Sequence, residues 1–206
     1  MTSEEKDTYK TIKNPGAETL FKEKGSKFFG YAFPVTSEDD VKNVLDDLKK
    51  QHHTARHFCY AWQLGKRYDS YRANDDGEPS NSAGMPIYGQ LQAFDVTNVL
   101  VVSVRYFGGT KLGVGGLIQA YKTSAQLALE ASKIVKRTIN EEITITFEYP
   151  EMNTVMRIIK DEKLKIVSQK MELDCEFVLS VRKKEFKRIS ELFKNTYKVT
   201  LKNDDT

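Results

Sequence analysis

Five glycines, Gly108, Gly109, Gly113, Gly115 and Gly116, fall within a single short segment, Arg105 to Tyr121, that reads RYFGGTKLGVGGLIQAY. Glycine loses more conformational freedom on folding than any other residue. A chain accepts that loss where the backbone must take positive φ or where something must approach it closely. The segment follows an apolar run, Val99 to Val104, and precedes a helix-like run from Leu117 to Leu129. Strand, glycine loop, helix is an order that leaves free N–H groups at a helix start, which suits an anion. Arg105 and Lys111 bracket the loop with positive charge. No Gly-Lys-Ser/Thr closes it, so it is not a Walker loop. Gly113, Gly115 and Gly116 give G-x-G-G with Ile118 at the third fingerprint position, so it is not a dinucleotide loop either. Two readings stay open: an anion cradle, or a tight turn that lets a helix pack closely on a sheet.

Asp75, Asp76 and Glu78 place three carboxylates within four residues. Such a cluster repels itself unless a cation sits nearby. It fits a Mg²⁺ site or a general acid/base pair. It equally fits a salt bridge to Arg105 or Lys111 that fixes the loop, and no carboxylate pair at a fixed helical spacing supports the metal. His57 and Cys59 would share one face of a strand. With three histidines in the chain and no second ligand pair at zinc spacing, His57 reads as a polar contact to the glycine loop or the acidic cluster. Ser80 and Ser82 lack a nucleophile-elbow context and read as turn residues. Lys184, Lys187 and Arg188 would share a solvated helix face. No cofactor, metal ligand set or catalytic residue is expected from these patterns.

The elements that must position these groups divide the chain in two. All twelve glycines lie at or before Gly116, and four of the five prolines lie in the same half. That shift argues for a boundary at residues 134–140, with one domain over residues 1–136 and a second over residues 137–206. In the first, residues 18–35 read as two strands joined at Lys24-Gly25-Ser26. Ser37 reads as a helix cap with Asp40 three residues on, ahead of Val41, Val44, Leu45 and Leu48 at helical spacing. Residues 57–64 and 67–73 read as strands, 83–94 as a short helix, Asn98 to Arg105 as a buried strand, and Leu117 to Ser132 as a helix. The second half alternates at Ile143, Ile145, Phe147 and Tyr149, and again at Leu173, Cys175, Phe177, Leu179 and Val181. Helical stripes at Met152–Ile159 and Phe186–Phe193 complete a βαββαβ order, the ferredoxin-like split-βαβ pattern. The fold class expected is α+β. The first ten residues and the last four read as frayed, and His52 and His53 read as a helix end.

The three clusters, taken in order, resemble the IMPACT/YigZ family: His57-Phe58-Cys59-Tyr60-Ala61, then Asp75-Asp76-Gly77-Glu78-Pro79-Ser80 with Ala83-Gly84-Met85-Pro86, then the segment from Arg105 to Tyr121. The resemblance covers residues 15–135. It implies an N-terminal domain similar to a superfamily that includes ribosomal small-subunit proteins, RNase PH and domain IV of elongation factor G, with a left-handed βαβ crossover against the usual right-handed rule. It also implies a C-terminal domain similar to the last domain of elongation factor G. Ser82 stands where the family has Thr, and Gln119 where it has Arg, which removes a cation from the helix after the loop.

Bulk composition sets the outer limits. A net charge of +3 over 206 residues does not by itself point to nucleic acid. No stretch is long and apolar enough to span a bilayer, and the N-terminal residues carry no apolar signal core. Cys59 and Cys175 read as buried reduced thiols, so a cytoplasmic protein with no membrane contact is expected. The expected function is non-enzymatic binding of RNA or a ribonucleoprotein or translation-factor surface, regulating translation. Arg105, Lys111 and the loop amides would touch phosphate, supported by His57, Asp75, Asp76, Glu78, Ser82, Tyr106 and Gln119. Two alternatives remain: a Mg-dependent enzyme acting on a phosphorylated small molecule or nucleic acid, and a protein-interaction module.

Overall fold

The structure, a computed structural model, describes residues 7–202. They form two compact units, one of residues 9–137 and one that joins residues 7–8 to residues 138–202. Both are mixed α and β.

The first unit runs β1 (Thr8–Ile12), β2 (Thr19–Glu23), β3 (Ser26–Pro34), α1 (Glu38–Gln51), β4 (His57–Leu64), β5 (Ser70–Asn74), α2 (Gly84–Ala93), β6 (Val99–Tyr106), α3 (Gly113–Glu130) and β7 (Ile134–Thr138). Five strands form one sheet in the order β2-β3-β6-β4-β5. Strands β3 and β4 each pair antiparallel with β6. They are therefore parallel to each other, with α1 as their crossover and β6 inserted between them. Strand β6 is buried on both faces, which explains why apolar residues fill both of its faces from Val99 to Val102. Val99 and Val101 join the core under α2 and α3, while Leu100, Val102 and Val104 join the core under α1. The same alternation puts Ser103 and Arg105 on the α2/α3 side. A buried Ser103 to Ser124 hydroxyl contact of 2.8 Å ties α3 to the sheet. The Tyr121 ring meets Phe28 edge-on at 5.1 Å.

Helix α1 begins where the sequence places it. The Ser37 hydroxyl accepts from Asp40 N at 3.1 Å and the Asp40 carboxylate accepts from Ser37 N at 3.1 Å, a reciprocal cap. Further hydrogen bonds from the Thr36 amide and hydroxyl hold the Asp40 carboxyl below its usual range. Two readings change. Helix α3 starts at Gly113, four residues ahead of Leu117, so three of the five glycines lie in its first turn. Three residues read as frayed, Thr8 to Lys10, begin β1, which pairs with β7 in a two-stranded sheet. Residues 1–6 and 203–206, also read as frayed, lie outside the described residues.

The second unit runs β8 (Asn140–Glu148), α4 (Met152–Asp161), β9 (Lys165–Lys170), β10 (Asp174–Arg182), α5 (Phe186–Lys194) and β11 (Val199–Lys202). Its sheet order is β11-β8-β10-β9, antiparallel throughout. Pro150 sits in a single 3-10 turn ahead of α4 rather than in the helix itself. Ile145, Phe147, Phe177 and Leu179 point inward against Val155 and Ile159 of α4 and Ile189 and Phe193 of α5. Arg188 forks onto Glu162 at 3.0 and 2.7 Å and also bonds Glu185. Part of the basic α5 face is thus neutralised.

Replacing Ser37 with Ala removes one half of the α1 cap and should lower stability by about 1 kcal/mol. Urea denaturation should show an earlier midpoint with an unchanged slope.

Candidate anion site at the glycine loop

Arg105 is the penultimate residue of β6, opposite Phe28 on β3 and His57 on β4. Its guanidinium lies between the Phe28 and Phe107 rings, 5.5 Å from each centroid. Nη1 donates to Glu78 Oε1 at 2.6 Å, and both side chains are almost fully buried. The Tyr121 hydroxyl donates to the same Glu78 oxygen at 2.7 Å. Ser26 Oγ accepts weakly from Nη2 at 3.4 Å and from Gly108 N at 3.2 Å. Arg105, expected as an exposed flank of the loop, is instead 5% exposed and holds the loop from below. The cause is its register. A side chain on the inner face of a central strand cannot reach solvent. Its Nε is buried without a hydrogen-bond partner.

The other two carboxylates diverge. Asp75 Oδ1 accepts from the amides of Ala83 and Gly84 at 2.9 and 2.8 Å, and Oδ2 from Asn81 N at 2.9 Å. It therefore caps the start of α2, whose N-cap position is Ala83 and has no side chain for the task. Asp76 Oδ2 accepts from Phe58 N at 2.6 Å. His57 Nδ1 lies 2.9 Å from the Asp76 carbonyl oxygen, so Nδ1 carries the proton, because a carbonyl only accepts. Ser82 is buried and donates to Pro79 O at 2.6 Å. Each carboxylate is engaged by a different donor set. Among the described residues no three His, Cys, Asp or Glu groups converge as metal ligands. Burial pushes the Cys59 thiol far up, and its Sγ donates to Asp75 O, so it is no nucleophile.

The glycines differ in what they do. Gly109 and Gly113 hold positive φ of 85° and 72°. Gly108 lies against Gly25, where an added Cβ would sit 1.9 Å from the Gly25 carbonyl carbon. Gly116 packs near Leu112. Gly115 has neither constraint: its φ is ordinary and a Cβ there would meet nothing within 4 Å. Helix α3 has no side-chain cap at Leu112 and no acidic residue in its first turn. Gly113, Val114 and Gly115 are exposed. Their amides are among the first of the helix, which have no intrahelical acceptor. Beside them lies a cavity of about 350 Å³ with Phe107, Leu112, Val114 and Leu117 as its apolar wall. Arg105, Lys111 and Glu78 supply its charges. Lys111 is exposed. Larger hollows of about 630 and 620 Å³ lie on the second unit. In the first of these Lys198 pairs with Glu148 and Lys202 with Glu176, and Lys170, Glu172 and Asp174 leave the lining acidic overall.

Two expected supports sit elsewhere. Gln119 is exposed on α3 and donates to Thr123 Oγ1 at 3.2 Å. Tyr106 lies on the α1 face of the sheet, where its hydroxyl is 2.9 Å from His52 Nδ1. His52 Nε2 is 2.6 Å from the Tyr31 hydroxyl, which in turn donates to Glu18. A carboxylate only accepts, so Tyr31 spends its proton on Glu18. Its oxygen must then accept from His52 Nε2–H, and Nδ1 must accept from Tyr106. His52, read from sequence only as a helix end, is thus the centre of a buried relay on the far side of β6. Nothing in the local pattern distinguishes it from the exposed His53. Phe107, whose ring lies over Arg105, was visible inside the motif as an aromatic where a loop needs none.

Replacing Arg105 with Leu leaves the Glu78 carboxylate buried without its cation and should cost about 3–5 kcal/mol. The Arg105→Leu/Glu78→Leu double variant should lose less than Arg105→Leu alone, as read by denaturant midpoints. Burial lowers the His52 pKa below 6.5. The unfolded chain therefore binds the proton more readily, and stability should fall as pH drops below the ordinary histidine pKa of about 6.5 and on through the lower folded-state value. Thermal unfolding of His52→Gln should show a flatter pH dependence over that window.

The Impact N-terminal domain model matches residues 24–129. IMPACT family member YvyE of Bacillus subtilis (strain 168) is 32% identical over 184 residues, covering 89% of this chain and 84% of that protein. IMPACT family member YigZ of Escherichia coli (strain K12) is 32% identical over 147 residues, covering 70% and 72%. The Saccharomyces cerevisiae protein IMPACT homolog is 35% identical over 96 residues, 44% of this chain and 36% of its own length. A crystal structure described as that of a hypothetical protein covers 97% of this chain and 100% of its own, with a TM-score of 0.74 at 24% identity, a likeness of fold. The matched residues include the His57, Asp75–Glu78 and Arg105–Tyr121 segments built into this one end of the sheet, and the chain belongs to the IMPACT family.

Proposed function

We propose that the glycine-loop face binds phosphate on RNA or on a ribonucleoprotein surface, and that the protein regulates translation through this contact without catalysing a reaction. The observation that carries this reading is the uncapped start of α3. Three exposed residues, Gly113, Val114 and Gly115, offer amides beside Lys111 and no acidic side chain occupies the turn. Helix-start amides and a nearby ammonium favour an anion through both hydrogen bonds and the helix dipole. Gly115 adds support, since the backbone and its neighbours do not require glycine there. Arg105, whose buried Nε has no partner, lines the same cavity and adds more.

The finer fold readings support the same direction by analogy. The crossover from β3 through α1 to β4 around β6 fits the ribosomal-protein and elongation-factor-like domain that the motifs resemble, with its left-handed connection. The order β11-β8-β10-β9 fits a ferredoxin-like domain such as the last one of elongation factor G. A cytoplasmic setting follows from the proposed partner, and no helix among the described residues is long and apolar enough to cross a membrane. A Mg-dependent reaction finds no converging carboxylates among the described residues, because Asp75, Asp76 and Glu78 are each engaged by separate internal donors.

Lys111→Ala should weaken RNA binding and reduce the slope of log affinity against log salt by about 1. Filter binding at two ionic strengths measures both. Unchanged affinity together with an unchanged slope would remove the loop as the contact.

A further inference from the structure

We infer that the cavity beside α3 takes a nucleotide bearing a terminal phosphate monoester, with its base stacked on Phe107. The inference rests on the anion-site reading above and narrows its ligand. Donor count is the first argument. Gly113 and Val114, whose amides open α3, line one cavity with Lys111 and with Arg105, whose buried Nε has no hydrogen-bond partner. A phosphodiester offers two free oxygens and one negative charge. A monoester offers three oxygens and a charge of about −1.5 to −2, which matches this donor set better. The Glu78 carboxylate at the same wall does not cancel it, because Arg105 and Tyr121 already engage that carboxylate.

Size and surface are the second argument. About 350 Å³ is at the small end of ligand cavities. It suits one terminal nucleotide rather than a chain that must enter and leave. Phe107 is 56% exposed although it sits on the rim of this cavity. Its ring centroid lies 5.5 Å from the Arg105 guanidinium, as does that of the fully buried Phe28. An exposed aromatic beside a phosphate site is the usual means of holding an unpaired base. Val114, also exposed, extends the apolar rim.

The third argument is Gly115. Alanine would favour the first turn of α3, and a Cβ at this position projects into open space. Glycine there keeps the approach to the helix amides clear. The Gly115→Ala variant should therefore raise the melting temperature while weakening the ligand, a split that a merely structural glycine would not give.

The test uses the full chain and one short single-stranded RNA sequence in three forms: with a 5′-phosphate, with a 3′-phosphate and with hydroxyls at both ends. Adenosine monophosphate serves as the free-nucleotide probe. One phosphorylated form should bind about tenfold tighter than the hydroxyl form, and Phe107→Ala should weaken that form about tenfold through the lost stacking. Gly115→Ala should erase the preference. If adenosine monophosphate displaces the phosphorylated RNA, the pocket takes a single nucleotide, as inferred. If it binds while no RNA form does, the inference stands with a free nucleotide as its ligand, and the RNA reading falls. Equal affinity for all three RNA forms, with binding still dependent on Lys111, overturns the inference and leaves the RNA reading in place. If no probe binds, both are overturned.

Discussion

The ion pair between Arg105 and Glu78 is the contact on which this end of the molecule depends. Both side chains are almost fully buried, and the guanidinium is closed in by two aromatic rings. Taking two charges out of water is costly, and their attraction offsets that cost only when geometry is good and the remaining groups are bonded. Here the carboxylate oxygen also accepts from Tyr121, and Ser26 caps the second guanidinium nitrogen. The acidic loop, the end of β6, the turn between β2 and β3 and the middle of α3 are thereby fixed to one another. The start of α3 is held where its amides face solvent.

That pair also sorts the charges. Arg105 and Lys111 look equivalent in the sequence, six residues apart around a glycine loop. One is consumed inside and the other remains at the rim. The carboxylates sort the same way. Asp75 holds the start of α2, Asp76 holds β4, and Glu78 holds Arg105. None is left to oppose an anion, so the local field at the loop comes from the helix start and Lys111. The backbone is unusual in the same place. Asp76, Gly77, Asn81, Gly109 and Gly113 all have positive φ.

On the opposite face of β6, the chain from Glu18 through Tyr31 and His52 to Tyr106 performs a similar fixing role, with a carboxylate at its exposed end. It joins the C-terminal end of α1 to the last residue of β6. The strand that carries the glycine loop is thus anchored from both sides, by an ion pair on one and a hydroxyl–imidazole relay on the other. The glycine loop is in this way carried on a strand held from both faces.

Local pattern was enough for the elements. The reciprocal cap at Ser37 and Asp40, the apolar run of β6 and the alternation of β10 each follow from interactions within a few residues. The same holds for the motif segments, whose residue types and order were visible directly. Strand β1 was not legible, because a short strand at a chain end forms only when a distant partner, β7, is there to pair with it. Four residues of α3 were missed because glycine argues against helix, and only packing on the sheet overrides that preference. The roles of individual site residues were also beyond the sequence. Whether Arg105 meets solvent, whether three carboxylates converge or part, and whether Gly115 answers to the fold are questions of register and of what lies across a sheet from what. The sequence by itself determined the α+β class, the run of helices and strands, and which segments carry chemistry. Tertiary structure alone decided which charges are spent on holding the molecule together and which are left to act, because burial and pairing are properties of residues far apart in the chain.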